Sequence, residues 1–265
     1  MDKSNLTKYV VIAFAIVGIF YLGFITKKVA TLEKTVSTLK VGGADTTGNT
    51  AQPSAKPTVS LDQVKNAFNK AMIKFGDDGK KVVALEISDP SCPFCQIAGG
   101  KNKELNNQSP QFKLVEDGGT YLAPVPELKK LVDAGKVSFA LIYYPGHRNG
   151  EMGMKALYCA FEVGKFWEAN DLIMSGAGFD LMNNKVVNDK TKSGVVADFL
   201  ASAVDKNNMK ACLDSGKYDS QLATDSTLAQ GLGVQGTPGF FINATNFAGA
   251  LSFTNMESAV NAALK

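Results

Sequence analysis

The chain has 265 residues, 45% of them hydrophobic, and 28 lysines and arginines against 25 aspartates and glutamates, for a formal charge of +3. That suffices for one globular domain of about 200 residues with an ordinary core. The positive residues are thinly spread and almost all lysine, with Arg148 the only arginine, which argues against a nucleic-acid partner. Residues 9–25 (YVVIAFAIVGIFYLGFI) carry no charge. At about 1.5 Å per residue such a helix just spans a bilayer core. It is long for a cleaved signal peptide and lacks an Ala-x-Ala site, so it reads as an uncleaved signal anchor behind a cytoplasmic tail, 1–8. Lys3 and Lys8 precede it, but Lys27, Lys28 and Lys34 follow, so charge mildly favours the opposite orientation. An extracytoplasmic domain is inferred instead from the cysteine chemistry below. Residues 26–59 are a stalk and linker: Val29, Leu32, Val36 and Leu39 make a short apolar stripe, and 42–57 are rich in Gly, Thr, Ala, Ser and Pro without periodicity.

The globular part, 60–265, opens with the capping box Ser60-Leu61-Asp62-Gln63. Val64, Ala67, Phe68, Ala71, Met72 and Phe75 follow at helical spacing, predicting a helix that runs to Gly76. Asp77-Asp78-Gly79 predicts a turn, and Lys81 to Ser88 a buried strand leading through Asp89 and Pro90 into Cys92-Pro93-Phe94-Cys95. Two cysteines in the first turn of a helix lie within bonding distance of each other, and the first faces unpaired backbone N–H groups that favour an anion. Because the thiolate is the attacking species, Cys92 is the candidate nucleophile and Cys95 the candidate resolving thiol. Gly99-Gly100 cuts this helix short. The stretch Gln96–Pro126 that follows is long for a connection and has no assigned role. From Pro126 a helix runs to Gly135, and Val137 to Tyr144 is a second strand, which completes a β-α-β unit.

Helical patterns then dominate: 152–163, 166–174, 195–204, 209–213 and 218–232. They predict a helical insertion over about 146–232. Strand character returns at Gly239–Asn243 and Phe247–Gly249, and Thr254-Asn255-Met256-Glu257 has the form of a second capping box. Four cysteines allow three pairings. Cys159 and Cys212, both on predicted helices of the insertion, are read as a structural bridge, with a pair of free buried thiols as the alternative. His147 is read as an exposed loop residue, and Trp167, with Phe161 and Phe166, as core packing. A zinc site on Cys92 and Cys95 would need a second ligand pair; Cys159, Cys212 and His147 stand isolated, so no metal is assigned.

These features together resemble the DsbA-like thiol:disulfide oxidoreductases, over most of residues 60–265. The Cys92-Pro93-Phe94-Cys95 motif matches the family's active site, and Glu86 matches its buried acidic residue six positions earlier. Val234-Gln235-Gly236-Thr237-Pro238-Gly239-Phe240-Phe241-Ile242-Asn243 is similar to its cis-proline segment. Stretches around Cys159, Gly164-Lys165-Phe166-Trp167-Glu168, Cys212 and Ser215-Gly216-Lys217-Tyr218 match anchored and Gram-positive-type members.

The resemblance implies an α/β class: a thioredoxin fold with a helical insertion between the two halves of the sheet, preceded here by a transmembrane helix. It implies that Glu86 exchanges a proton with Cys95, and that Thr237, before a cis Pro238, offers its backbone to an extended client segment. Pro93 and Phe94 tune the pair; where the best-known oxidants carry histidine this chain has Phe94, which makes for a less oxidising couple. The implied function is introduction of disulfides into exported proteins. No cofactor is needed beyond the redox-active disulfide Cys92–Cys95. The implied partners are reduced exported proteins and a quinone-linked membrane reoxidase. A reductase or isomerase on the same fold is the alternative, and a non-catalytic holdase or metal carrier the alternative from another class.

Overall fold

The computed structural model describes residues 59–265. The tail 1–8, the apolar span 9–25 and nearly all of the stalk and linker lie outside the described residues. Among the described residues no helix is long and apolar enough to cross a membrane.

The first helix, α1 (Leu61–Lys70), starts as its sequence predicts, with Ser60 Oγ accepting from Gln63 N–H and the Gln63 side chain accepting from Ser60 N–H. It ends at Lys70, about one and a half turns earlier than predicted. Ile73–Phe75 form an edge strand, β1, pairing antiparallel with β3 (Val137–Tyr143), Ile73 opposite Leu141. The spacing of Ala71, Met72 and Phe75 would continue a helix, but the open edge of β3 supplies a ladder for residues 73–75, and Phe75 stacks on Trp167 at 5.1 Å.

Strand β2 (Val82–Ser88) is central, parallel to β3 and antiparallel to β4 (Gly239–Ile242), which pairs in turn with β5 (Thr245–Ala248). The sheet order is β1-β3-β2-β4-β5. Every residue of β2 and β3 is buried, which accounts for their nearly continuous apolar sequences. Val83, Leu85 and Ile87 face α1, packing with Val64, Phe68, Ile142 and Phe241. Val82 and Ala84 face the other core, with Phe139, Leu141, Phe240 and both motif cysteines. By the strand's two-residue period Glu86 and Ser88 share that second face.

Between β2 and β3 run α2 (Pro93–Gly99), α3 (Lys103–Asn107), two single 3₁₀ turns (Pro110–Phe112, Val115–Asp117) and α4 (Pro124–Asp133). The stretch without an assigned role is therefore folded. Gly100, in the left-handed region at φ 65°, ends α2, its N–H donating to Ile97 O at 3.1 Å. Ile97, Leu105, Leu114, Tyr121 and Ala123 form a small apolar core of their own.

Helices α5 (Glu151–Glu162), α6 (Phe166–Ile173), α7 (Gly176–Asp180), α8 (Ser193–Phe199), α9 (Lys206–Asp214) and α10 (Asp219–Gly231) lie between β3 and β4. Helix α7 and the π-turn Leu181–Val186 after it fall in a stretch where the sequence predicts no helix. The last helix, α11 (Thr254–Leu264), lacks the predicted capping box: Phe253 is the cap residue, without a side-chain hydrogen bond, and Thr254 Oγ1 donates to Ser252 Oγ instead.

Cys159 of α5 and Cys212 of α9 form a disulfide with Cα atoms 6.1 Å apart and a sequence separation of 53. Closing a loop of that length restricts the unfolded chain by about 4 kcal/mol in the chain-entropy account. The double variant Cys159→Ser/Cys212→Ser is expected to lose about 2–4 kcal/mol of stability in urea titration. A loss below about 0.5 kcal/mol would show that the bridge holds nothing that α5–α9 packing does not already hold.

Candidate active site

The site grows from the end of β2. Asp89, fully buried, accepts from Ser91 N–H at 2.8 Å and Ser91 Oγ–H at 2.7 Å through Oδ1, and from His147 N–H at 2.7 Å through Oδ2. This Asx turn sets the chain into α2 with Cys92 at the cap position and Pro93 in the first turn, where a missing N–H costs nothing. The same carboxylate holds the loop 144–149 against the site, and Asn183, within the π-turn, donates to Ser91 O at 3.1 Å. Asp89, Ser91 and Asn183 were not singled out from the sequence. For the first two a signal existed in Asp-Pro-Ser directly before the motif.

Cys92 and Cys95 are both free thiols and buried. The Cys92 thiol donates to the carbonyl of Thr237 at 3.4 Å, and the Thr237–Pro238 bond is cis. The predicted elements 89–95 and 234–243 thus meet, although 145 positions separate Cys92 from Thr237. Loop 144–149 packs on the same corner: a Cβ at Gly146 would stand 2.0 Å from Thr237 Oγ1, so only glycine permits this approach.

The two sulfurs are electrostatically unequal. Hydrogen bonding from Cys95 is the largest influence on Cys92 and lowers its pKa, to about 6 in all, against the opposing effect of burial; Thr237 and the charge of His147 lower it further. Burial, then the adjoining Cys92, pushes Cys95 well above an ordinary thiol, so it holds its proton while Cys92 ionises. His147 thus contributes to the site from a separate loop, although its own motif-free surroundings gave it no role. Phe94 is 47% exposed at the rim and carries no charge.

Glu86 is 3% exposed, and burial raises its pKa to about 7. Neither Glu86 Oε1 nor Ser88 Oγ has a hydrogen-bond partner, and the Ser88 hydroxyl lowers the pKa of both Glu86 and Cys95. Ser88, on the same face of β2 as Glu86, therefore influences both the carboxyl and the resolving thiol, although its hydroxyl is bonded to neither. Among the described residues no three His, Cys, Asp or Glu side chains gather as a metal site. The arrangement suits two-electron dithiol exchange: a readily ionised sulfur beside the Thr237 turn, a second sulfur that keeps its proton, and a buried carboxyl that titrates near neutrality.

Residues 124–262 match the family model described as thioredoxin. The chain belongs to the thioredoxin family. No curated protein matches its sequence. Among solved structures this thioredoxin-family chain is similar to oxidised BdbD from Bacillus subtilis, with 16% identity and a TM-score of 0.52, over 80% of this chain and 99% of that one. It is also similar to a thioredoxin-like oxidoreductase from Silicibacter pomeroyi, with 21% identity and a TM-score of 0.52, over 79% and 98% of the two chains. The catalytic domain of ScsC from Proteus mirabilis matches with 18% identity and a TM-score of 0.52, over 77% and 98%. Likeness at these identities is likeness of fold: a thioredoxin fold with helices set between β3 and β4.

Proposed function

We propose that this protein is an extracytoplasmic thiol:disulfide oxidase, tethered to the membrane by residues 9–25, that introduces disulfides into exported proteins. The observation that carries the reading is the inequality of Cys92 and Cys95 beside the Thr237 carbonyl. In the oxidised protein a client thiolate attacks Cys92 Sγ, and the Cys92–Cys95 bond breaks with Cys95 leaving as a thiolate. Glu86 supplies the proton that Cys95 retains. The client's second thiolate then attacks its own sulfur in the mixed disulfide, Cys92 departs as a stable thiolate, and two electrons have passed from client to protein.

Thr237 beside the nucleophile offers main-chain pairing to an extended client, a mode indifferent to side chains and hence to client identity. The disulfide Cys159–Cys212 supports an oxidising compartment, since such bonds rarely persist in cytosol. The name of the Silicibacter pomeroyi structure, an oxidoreductase, agrees with the reaction class. Reoxidation by a quinone-linked membrane protein would return the two electrons to the membrane. A reductase or isomerase is the second reading, favoured by the uncharged Phe94 in the motif.

Cys95→Ala removes the resolving thiol. Without Cys95 no internal disulfide forms, so the mixed disulfide arises in the reverse direction: the Cys92 thiolate attacks a client disulfide, one client thiolate leaves, and no Cys95 is present to displace the client. In cells such adducts on Cys92, released by thiol reductants, are expected to accumulate, and adducts missing in the Cys95→Ala protein yet formed by a Cys92→Ser control would overturn the assignment of the nucleophile.

A further inference from the structure

The segment 96–126 is bound to the redox site on one side and to the start of α11 on the other. Asn106 Nδ2 donates to Ile97 O and to Phe112 O, each at 3.2 Å, and Leu114 bridges to Tyr121. Leu122 N–H donates to Ser252 Oγ at 3.1 Å, and Phe253 N–H donates to Leu122 O at 2.8 Å. These bonds stand Phe112 upright between two other rings, 6.0 Å from Phe94 in the motif and 5.7 Å from Tyr121, both edge-on.

The result is a cavity of about 410 Å³ whose walls include Phe94, Phe112, Tyr121, Thr237, Leu251 and Asn255. Among the described residues no Lys, Arg, His, Asp or Glu lines it. Its position is continuous with the nucleophile: Thr237, which receives the Cys92 thiol, is part of its wall, and so is Phe94. Phe94 and Leu251 stand at its mouth, 47% and 38% exposed.

We propose that the 96–126 lobe is a client-selecting element, and that its cavity takes an apolar, by preference aromatic, side chain close to the client's reacting cysteine. The inference rests on the dithiol-exchange reading above and names the clients that the exchange favours. A strand paired along Thr237 advances about 3.3 Å per residue with side chains alternating, so only residues within about three positions of the cysteine reach the cavity. A ring there meets three aromatic edges and faces. A carboxylate or ammonium loses its water and finds no opposite charge. Main-chain pairing at Thr237 admits any sequence; the lobe then ranks the sequences admitted.

The test uses the full chain in its oxidised form and reduced two-cysteine peptides, in which each turnover makes one peptide disulfide and one protein dithiol. Phenylalanine, alanine or aspartate is walked through the positions flanking the first cysteine. At one position the phenylalanine peptide is expected to be oxidised about tenfold or more faster than its aspartate counterpart, a discrimination ordinary for an apolar pocket. Phe112→Ala should bring the phenylalanine-to-alanine ratio at that position within about twofold. Leu251→Lys, at an exposed rim residue and so independent of lobe folding, should raise the aspartate peptide several-fold at the same position. Peptides oxidised without preference at any position, or a preference that Leu251→Lys leaves unchanged, would overturn the role of the lobe alone. Failure to oxidise any peptide would overturn the redox reading together with it.

Discussion

Alkylation of reduced protein at Cys92 is expected to follow a titration centred near pH 6, and Cys92→Ser to abolish both that reaction and all disulfide exchange. At pH 5 a thiol of pKa about 6 is about one-tenth ionised, whereas an ordinary thiol of pKa about 8.5 is ionised to about one part in three thousand. Absolute rates do not reveal this, for two reasons. Cys92 is only 1% exposed, which slows encounter at every pH. A weakly basic thiolate is also a weaker nucleophile, so much of the gain in ionised fraction at neutral pH is offset. The ratio of the rate at pH 5 to the plateau rate is free of both effects. A midpoint above pH 8 would remove the basis for the proposed activity, while labelling of Cys95 in this range would contradict its protonated state.

The same lowering sets a bound on how oxidising the couple can be. Cys92 titrates only in the reduced protein, and its folded pKa is depressed, so the stabilisation of that form is present above the unfolded pKa and is lost as pH falls through about 6. At pH 7 the accumulated difference is about 1.4 kcal/mol, equivalent to about 30 mV for a two-electron couple. That is a small part of the roughly 150 mV separating reducing from strongly oxidising members of the wider fold. Cys92 alone therefore does not set the direction of electron flow; the proposed oxidase activity would also require a partner that reoxidises the pair.

The sheet was readable wherever burial on both faces imposed a continuous apolar run, as in Val82–Ser88 and Val137–Tyr143. Ile73–Phe75 was not, because Ala71, Met72 and Phe75 satisfy a helical period and only the free edge of β3 decides otherwise. Thr254 illustrates the same limit at short range: its sequence suits a cap, but the tie of Phe253 to Leu122 places it one residue inside the helix. The motif cysteines stand out by their spacing at a helix start, Glu86 as a carboxylate inside an apolar strand, and Pro238 by the Gly-Thr-Pro-Gly turn before a strand. Asp89, Ser88 and His147 act through contacts made across the fold, and the 96–126 lobe has a core of residues too irregularly spaced for any period to show.

Glu86→Gln is expected to slow the exchange cycle by about 10²–10⁴, the range of a lost general acid–base group, and to remove its dependence on pH near 7. The same change should make the protein more stable in alkali. Burial raises the folded pKa of Glu86 from 4.5 to about 7, so stability is fully present below the unfolded value and is lost as pH rises through 7. The charged form at pH 8 costs about 3 kcal/mol, a cost that a neutral amide does not incur. Urea titrations should then show wild type and Glu86→Gln alike at pH 4 and diverging in favour of the variant by pH 8. Divergence without loss of turnover would make Glu86 a tolerated buried acid. Loss of turnover with no divergence would mean that the carboxylate is solvated in solution. Only the two together describe a carboxyl kept unfavourably buried because Cys95 needs a group that can give up and recover a proton near neutrality.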